Sequence, residues 1–157
     1  MSILSDLKEY FEIDDGYLPE IAFQGYMESE IIRVYNALTL ISDRSSLDSF
    51  LWHLPTESEI KLSQFPCAAE MIINGEAEPF RMLFVKMTYK GVSLPDLGAF
   101  FSNNELIFDY RRGPVWSEKE LAVLLDLINC EIRVSPSIVV KHEECEELFN
   151  LNLRNAL

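Results

Sequence analysis

Basic residues are scarce in this chain of 157 residues: Lys and Arg number 13 against 26 Asp and Glu, leaving a net charge of −13. A field of that sign repels phosphate backbones and anionic lipid and speeds association with a basic partner. Nucleic acid and membrane surfaces are therefore not expected partners. Cysteine is scarce as well. Cys67, Cys130 and Cys145 are odd in number and widely spaced, with no C-x-x-C pair, so neither a disulfide framework nor a zinc ribbon is indicated. The six glycines, at positions 16, 25, 75, 91, 98 and 113, form neither a P-loop nor a G-x-G-x-x-G turn. No apolar run approaches the roughly 18 residues of a membrane span, and MSILSDLKEYF lacks the basic and apolar regions of a secretory signal. The expectation is a cytoplasmic protein.

What is present is enough apolar material for one core. Hydrophobic residues make up 48% and charged residues 25%, the balance of a folded chain, and the length suits a single domain spanning 1–157. The acidity is uneven. Residues 1–60 carry 12 acids and 3 bases, residues 61–116 carry 6 of each, and residues 117–157 carry 8 and 4.

Periodicity and turns predict an α+β fold. Pro19 to Gln24 reads as a short edge or starting strand, because proline donates no ladder hydrogen bond. From Glu28 onward Ile31, Val34, Tyr35, Leu38 and Ile41 recur at helical spacing, and this helix should end near Ser42 to Ser46. Residues 47–66 hold an apolar cluster interrupted by Pro55 and Pro66 and resist assignment. A meander is predicted next: Ala68 to Ile73, Phe80 to Tyr89, Val92 to Phe101 and Glu105 to Tyr110 are β-rich. Asn74-Gly75, Lys90-Gly91 and Asn103-Asn104 separate them and suit the positive φ of hairpin turns. The second of these strands looks buried on both faces. Ser117 and Glu120 form a capping-box pattern before Leu121, Leu124, Leu125 and Ile128, which predicts a helix. A short strand at Ile138 to Val140 and a last helix from about Glu143 complete an antiparallel sheet of about five strands, with helices before and after it. Leu18-Pro19-Glu20-Ile21 is echoed by Leu94-Pro95-Asp96-Leu97, and both read as strand entries with the leucine packed inward.

Chemical motifs are incomplete. The stretch EIDDGYLPEIAF invites a calcium loop around Gly16, but the required oxygen ligands are Phe11, Ile13 and Ala22 at three positions, leaving an Asp15-Gly16 turn. His142-Glu143 begins H-E-x-x-H, yet position 146 is glutamate, so the pattern is broken and reads as an acidic helix start. His53 and His142 stand beside no nucleophile elbow, and no cysteine has a local activating pattern. A hydrolase using dispersed carboxylates, with or without a metal, stays open as an alternative because such pairs are separated in sequence. A subunit of a homo-oligomer is a further one.

The segments DDGYLPEI, NGEAEPF (74–80), LPDLGAFF (94–101) and DYRRGPVW (109–116) together resemble small acidic bacterial proteins grouped with the immunity proteins of polymorphic-toxin systems. The resemblance runs from residue 12 to about 128. It implies a cytoplasmic, non-enzymatic protein without a cofactor that neutralises a cognate toxin by occluding its active surface. Toxin domains that act on nucleic acid are often basic, and an acidic inhibitor gains association rate against them. Expected partner-binding residues are the exposed acids near aromatics, Asp14, Asp15, Tyr17 and Glu20, with Glu28 and Glu30 at the helix start. Arg111, Arg112 and Trp116 form a second expected patch, since arginine and tryptophan are enriched at interface hot spots. Its competing reading is structural: a Gly113-Pro114 turn, arginines paired with local carboxylates, and a tryptophan stapling the next helix.

Overall fold

A computed structural model describes residues 3–157. The chain begins with a helix that the sequence reading did not assign, α1 (Ile3–Phe11), whose Leu7 and Phe11 lie one turn apart and are fully buried. Strand β1 (Glu20–Gln24) follows, then α2 (Glu28–Ile41), in which the expected stripe Ile31, Val34, Tyr35 and Leu38 is buried. The unassigned region is a hairpin of β2 (Phe50–His53) and β3 (Ser58–Lys61), with Pro55 in its turn and Glu57 at φ 49°. Its outer strand rests beside the approach to the main sheet through Glu78 N–H to Trp52 O (3.1 Å) and Leu54 N–H to Glu76 O (2.9 Å).

The expected strand at Ala68 to Ile73 is a helix, α3 (Ala68–Ile73). Its buried residues Ala68, Ala69 and Ile72 fall at helical spacing, and two alanines favour that state. Asn74-Gly75 closes the helix and makes no hairpin: Asn74 N–H donates to Glu70 O, and Gly75 adopts φ 75° beyond the cap. The long strand expected over Phe80 to Tyr89 stops early as β4 (Phe80–Phe84), because Lys86 takes φ 51° and turns the chain. Only one face of β4 is buried, with Arg81 and Leu83 exposed. A two-residue ribbon, β5 (Thr88–Tyr89) and β6 (Val92–Ser93), is closed by Lys90-Gly91 with φ 50° and 76°, the positive pair that a type I′ turn requires. Pro95 then separates β6 from β7 (Leu97–Phe101), and Asn103-Asn104 joins β7 to β8 (Glu105–Tyr110) without a positive φ.

Helix α4 (Glu118–Leu127) starts at the expected Ser117, and its end widens into a π turn over Ile128–Ile132, where Arg133 N–H reaches back to Ile128 O (2.8 Å). Strand β9 (Val139–His142) and α5 (Glu146–Asn155) end the chain. The last helix begins at Glu146, not Glu143, because the His142 ring holds the intervening turn: its Nδ1 accepts the N–H groups of Glu144 (3.1 Å) and Cys145 (3.2 Å).

Five strands form one antiparallel sheet in the order β4-β7-β8-β1-β9, which confirms an α+β fold with a meander core (β4-β7-β8) and helices before and after it. β1 is not an edge. It sits between β8 and β9, and Pro19 precedes it, offering only its carbonyl, which accepts Tyr110 N–H (3.3 Å). Both Leu-Pro echoes do precede strands, β1 and β7, but only Leu94 packs inward; Leu18 is exposed.

All strands bury alternate residues on the same side. Ile21, Phe23, Phe80, Met82, Phe84, Leu97, Ala99, Phe101, Leu106, Phe108 and Tyr110 meet the helices there. Tyr35 of α2 sets its ring edge-on to Phe80 and Phe101, while Phe11 of α1 stacks on Tyr110 at 4.5 Å between centroids. Trp116 is fully buried against both Phe11 and Tyr110, with its Nε1–H donated to Arg111 O (2.9 Å).

Candidate interaction face

Among the described residues no helix covers the other side of the sheet. Its residues follow from the strand register: Arg81 and Leu83 on β4, Gly98 and Phe100 on β7, Glu105, Ile107 and Asp109 on β8, Glu20, Ala22 and Gln24 on β1, Val139 and Lys141 on β9. An antiparallel sheet tolerates such exposure when its outward side chains are polar or mutually paired. Part of this face obeys that rule. Arg81 reaches across the middle strand to Asp109 in a two-pronged ion pair, Nε to Oδ2 at 3.0 Å and Nη2 to Oδ1 at 2.6 Å. The bridge passes over Gly98, where any Cβ would collide with both partners, so the glycine is required by the crossing. Gln24 donates its amide to Glu105 (2.6 Å).

Between these polar pairs runs an apolar row. Phe100, Ile107 and Ala22 are cross-strand neighbours, each partly exposed, with Leu83 toward one edge and Val139 toward the other at 40% and 51% exposure. An apolar centre with a polar rim is the anatomy of a protein interface. At the β1-β9 end the face sinks into a concavity of about 350 Å³ lined by Glu20, Ala22, Lys141, His142, Glu143 and Glu146. The rim there is mostly acidic.

The expected partner-binding residues are distributed unequally around this face. Glu20 lies on it, and Tyr17 borders it: the Tyr17 hydroxyl donates to Glu143, a bond that pushes its pKa up to about 12. Glu143 is occupied further by the Glu20 N–H (2.9 Å). Asp14, Asp15, Arg111 and Arg112, expected as two patches, belong to one. Arg112 Nη2 donates to Asp15 Oδ2 at 2.6 Å, and Arg111 stands 3.9 Å from Asp14. Gly113 N–H ties this loop to Phe11 O (2.9 Å).

Two of these expectations need correction. Arg112 is buried, its guanidinium lying 4.8 Å from the Tyr10 ring centroid and 3.7 Å from Glu144, so it is the internal clamp of the opening loop and not a hot spot. Trp116 offers no surface at all, because it fills the core beside Phe11. The Asp15 carboxyl is held below its usual range by the Tyr17 N–H and by Arg112, which leaves it little free capacity for a partner. Glu30 is spent locally, accepting Met27 N–H (2.9 Å) at the start of α2. Glu28 remains exposed on that helix, past the far end of β1 from Glu20.

His142 has the burial of a functional histidine but the bonds of a structural one. Its Nδ1 accepts two backbone N–H groups, so the ring is neutral with the proton on Nε2, which faces the Tyr110 hydroxyl at 2.6 Å in the core. Burial depresses its pKa to about 4, although Glu144 and Glu143 oppose the shift. Burial likewise pushes the Cys145 thiol up to about 12, away from the thiolate that chemistry would need. Among the described residues no group of three or more His, Cys, Asp or Glu side chains is arranged to hold a metal ion, and no helix is long and apolar enough to cross a membrane.

Sequence reasoning missed Phe100, Ile107 and the Arg81–Asp109 bridge. The signal for Ile107 was available, since Leu106, Phe108 and Tyr110 alternate with it along one strand. No family model, no curated protein and no solved structure matches this chain.

Proposed function

We propose that this chain is a non-enzymatic binding protein that covers the working surface of a basic protein partner, as an immunity protein covers a toxin, and that the uncovered sheet face makes the contact. One observation carries the reading: a diagonal band of apolar side chains, with Phe100, Ile107 and Ala22 directly opposite one another and Leu83 and Val139 displaced to either side of them, lies on a side of the sheet that no helix of the described chain covers. Its rim sets the sign of the partner. Glu20, Glu105, Glu143 and Glu146 stand there against Lys141, while Arg81 is neutralised by Asp109. A basic side chain entering the concavity beside Ala22 would lay its aliphatic stem on the strand and its charge near Glu20 and Glu146.

The same concavity bears on a hydrolytic alternative, because three carboxylates line it. Their bonds favour recognition: Glu143 is engaged by Tyr17 and by the Glu20 backbone, and His142 turns its ring into the core.

The experiment is titration of the full chain with the product of the neighbouring gene, wild type against Phe100→Lys. Binding that weakens with added salt and falls about a hundredfold in the variant supports the proposal, a hot-spot-sized loss. Equal affinity in both proteins removes the sheet face as the contact. Sedimentation of the chain alone separates the competing occupant, since a second copy on this face would appear as a dimer that the same variant dissolves.

A further inference from the structure

The outer edge of the sheet holds a site of the opposite sign. A cavity of about 260 Å³ lies between β9 and α5 and is lined by Arg133, Ile138, Val139, Val140, Asn150 and Arg154. Two arginines therefore line one cavity in a chain of net charge −13, Arg133 also bordering the neighbouring concavity beside Asn129 and Val134. Neither is used internally. Of the seven ion pairs of the described residues, four are made by Arg81, Arg111 and Arg112 and three by lysines, and the side chains of Arg133 and Arg154 enter none. The Nε–H of Arg133 is buried without an acceptor, a desolvated donor that nothing in the fold answers.

The backbone adds donors. Glu143 N–H bonds to Glu20 O, its cross-strand partner, which makes that pair a hydrogen-bonded one and fixes the alternation along the ladder. Val140 consequently turns its N–H and carbonyl away from β1, to the free edge. Its carbonyl is taken by Asn150 Nδ2 (3.2 Å), and its N–H has no partner among the described residues. The cavity thus gathers two cationic forks, a side-chain amide and an edge N–H, with no carboxylate in its lining. Edge N–H groups beside guanidinium forks are a recurring way to hold an oxyanion.

We infer that this cavity binds a phosphate group, held by Arg133 and Arg154 with Asn150 and the Val140 N–H completing the contacts. Two positive charges match a dianion better than a single carboxylate, and arginine presents the planar donor pair that phosphate oxygens accept. The inference does not rest on the proposed interaction face: the cavity is of opposite sign and lies at the free edge of β9, with Val139 bordering both.

The test titrates isotopically labelled full-length chain at constant ionic strength with inorganic phosphate, O-phosphoserine and acetate, following backbone amide resonances. Saturable shifts centred on Val139, Val140, Asn150 and Arg154, with a dissociation constant on the order of 1 mM, are expected for phosphate. Arg154→Gln, at an exposed position, should weaken this about tenfold or more while leaving the remaining spectrum in place. Arg133→Gln should do the same, and a misfolded Arg133 variant leaves the Arg154 result decisive. Phosphoserine binding as well as phosphate assigns the site to a phosphate carried on a larger molecule; phosphate alone assigns it to the free ion. Linear, dispersed shifts, equal binding of acetate, or an Arg154→Gln protein that titrates like wild type would overturn the inference.

Discussion

The two faces of the same five strands obey different rules. On the covered face, Phe108 and Tyr110 meet Phe23, Phe11 and Trp116, and the aromatic rings are closed off from water. One residue away along β8, Ile107 and Asp109 face outward, and the charge of Asp109 is satisfied by an arginine two strands distant. The alternation of one strand thus separates a fully buried surface from a partly exposed one. The uncovered face keeps apolar side chains in contact with water, Leu83 and Val139 most of all, which is why we propose recognition there.

The sharpest way to test that separation is to cut neighbouring residues. Phe108→Ala should destabilise the protein by about 3–5 kcal/mol, the cost of emptying a close-packed aromatic site. Ile107→Ala, its neighbour, should cost clearly less, on the order of 1–2 kcal/mol, because part of its surface is already in water. Urea denaturation of the two variants reads the difference; equal losses would mean that the outward face is also core.

Acidification through the histidine range probes the covered face. His142 has a folded pKa near 4 against an ordinary value of 6.5, so the unfolded chain binds the extra proton between those values. Its contribution is complete above about pH 6.5 and is lost as pH falls toward 4, on the order of 3 kcal/mol in all. The groups facing the ring set the shift: burial among Tyr10, Tyr110 and Phe149 and the nearby Arg112 charge lower it, while Glu143 and Glu144 raise it. In His142→Gln the stability lost across that window should shrink. An unchanged pH profile would show that the ring does not carry the acid sensitivity.

Smaller effects belong to the outward face. Gly98→Ala should force Arg81 and Asp109 apart and cost about 1 kcal/mol, the worth of a well-formed surface ion pair. Asp109→Asn should then cost less in the Gly98→Ala background than in wild type, a coupling that a double-mutant cycle measures. Smaller again, breaking the Lys8–Glu12 pair on the exposed side of α1 should leave the urea midpoint almost where it is in wild type.

Much of the architecture was legible where the signal is local. The stripe on α2, the start of α4 at Ser117 and the inward residues of β8 all follow from spacing over a few positions. Ala68 to Ile73 misled because a six-residue apolar run fits strand or helix alike, and Asn-Gly ends a helix as readily as it turns a hairpin. The interior position of β1 was hidden, since its second neighbour β9 lies more than a hundred residues later. The same distance effect governs the site. Asp15 and Arg112 are 97 positions apart, so nothing local told that one neutralises the other, or that Trp116 is a core residue beside Phe11. Glu20 was legible as an exposed acid, whereas Phe100 reads as core until the helices are seen to lie on the opposite side.

The claim that the uncovered face is a recognition surface is tested most directly by the affinity of the neighbouring gene's product for wild-type chain and for a chain carrying Phe100→Lys and Ile107→Lys. The account predicts a loss of about a hundredfold or more in affinity from a chain that still folds, its thermal midpoint lowered because the two lysines face each other across the ladder. Affinity equal to wild type in a folded double variant would contradict it.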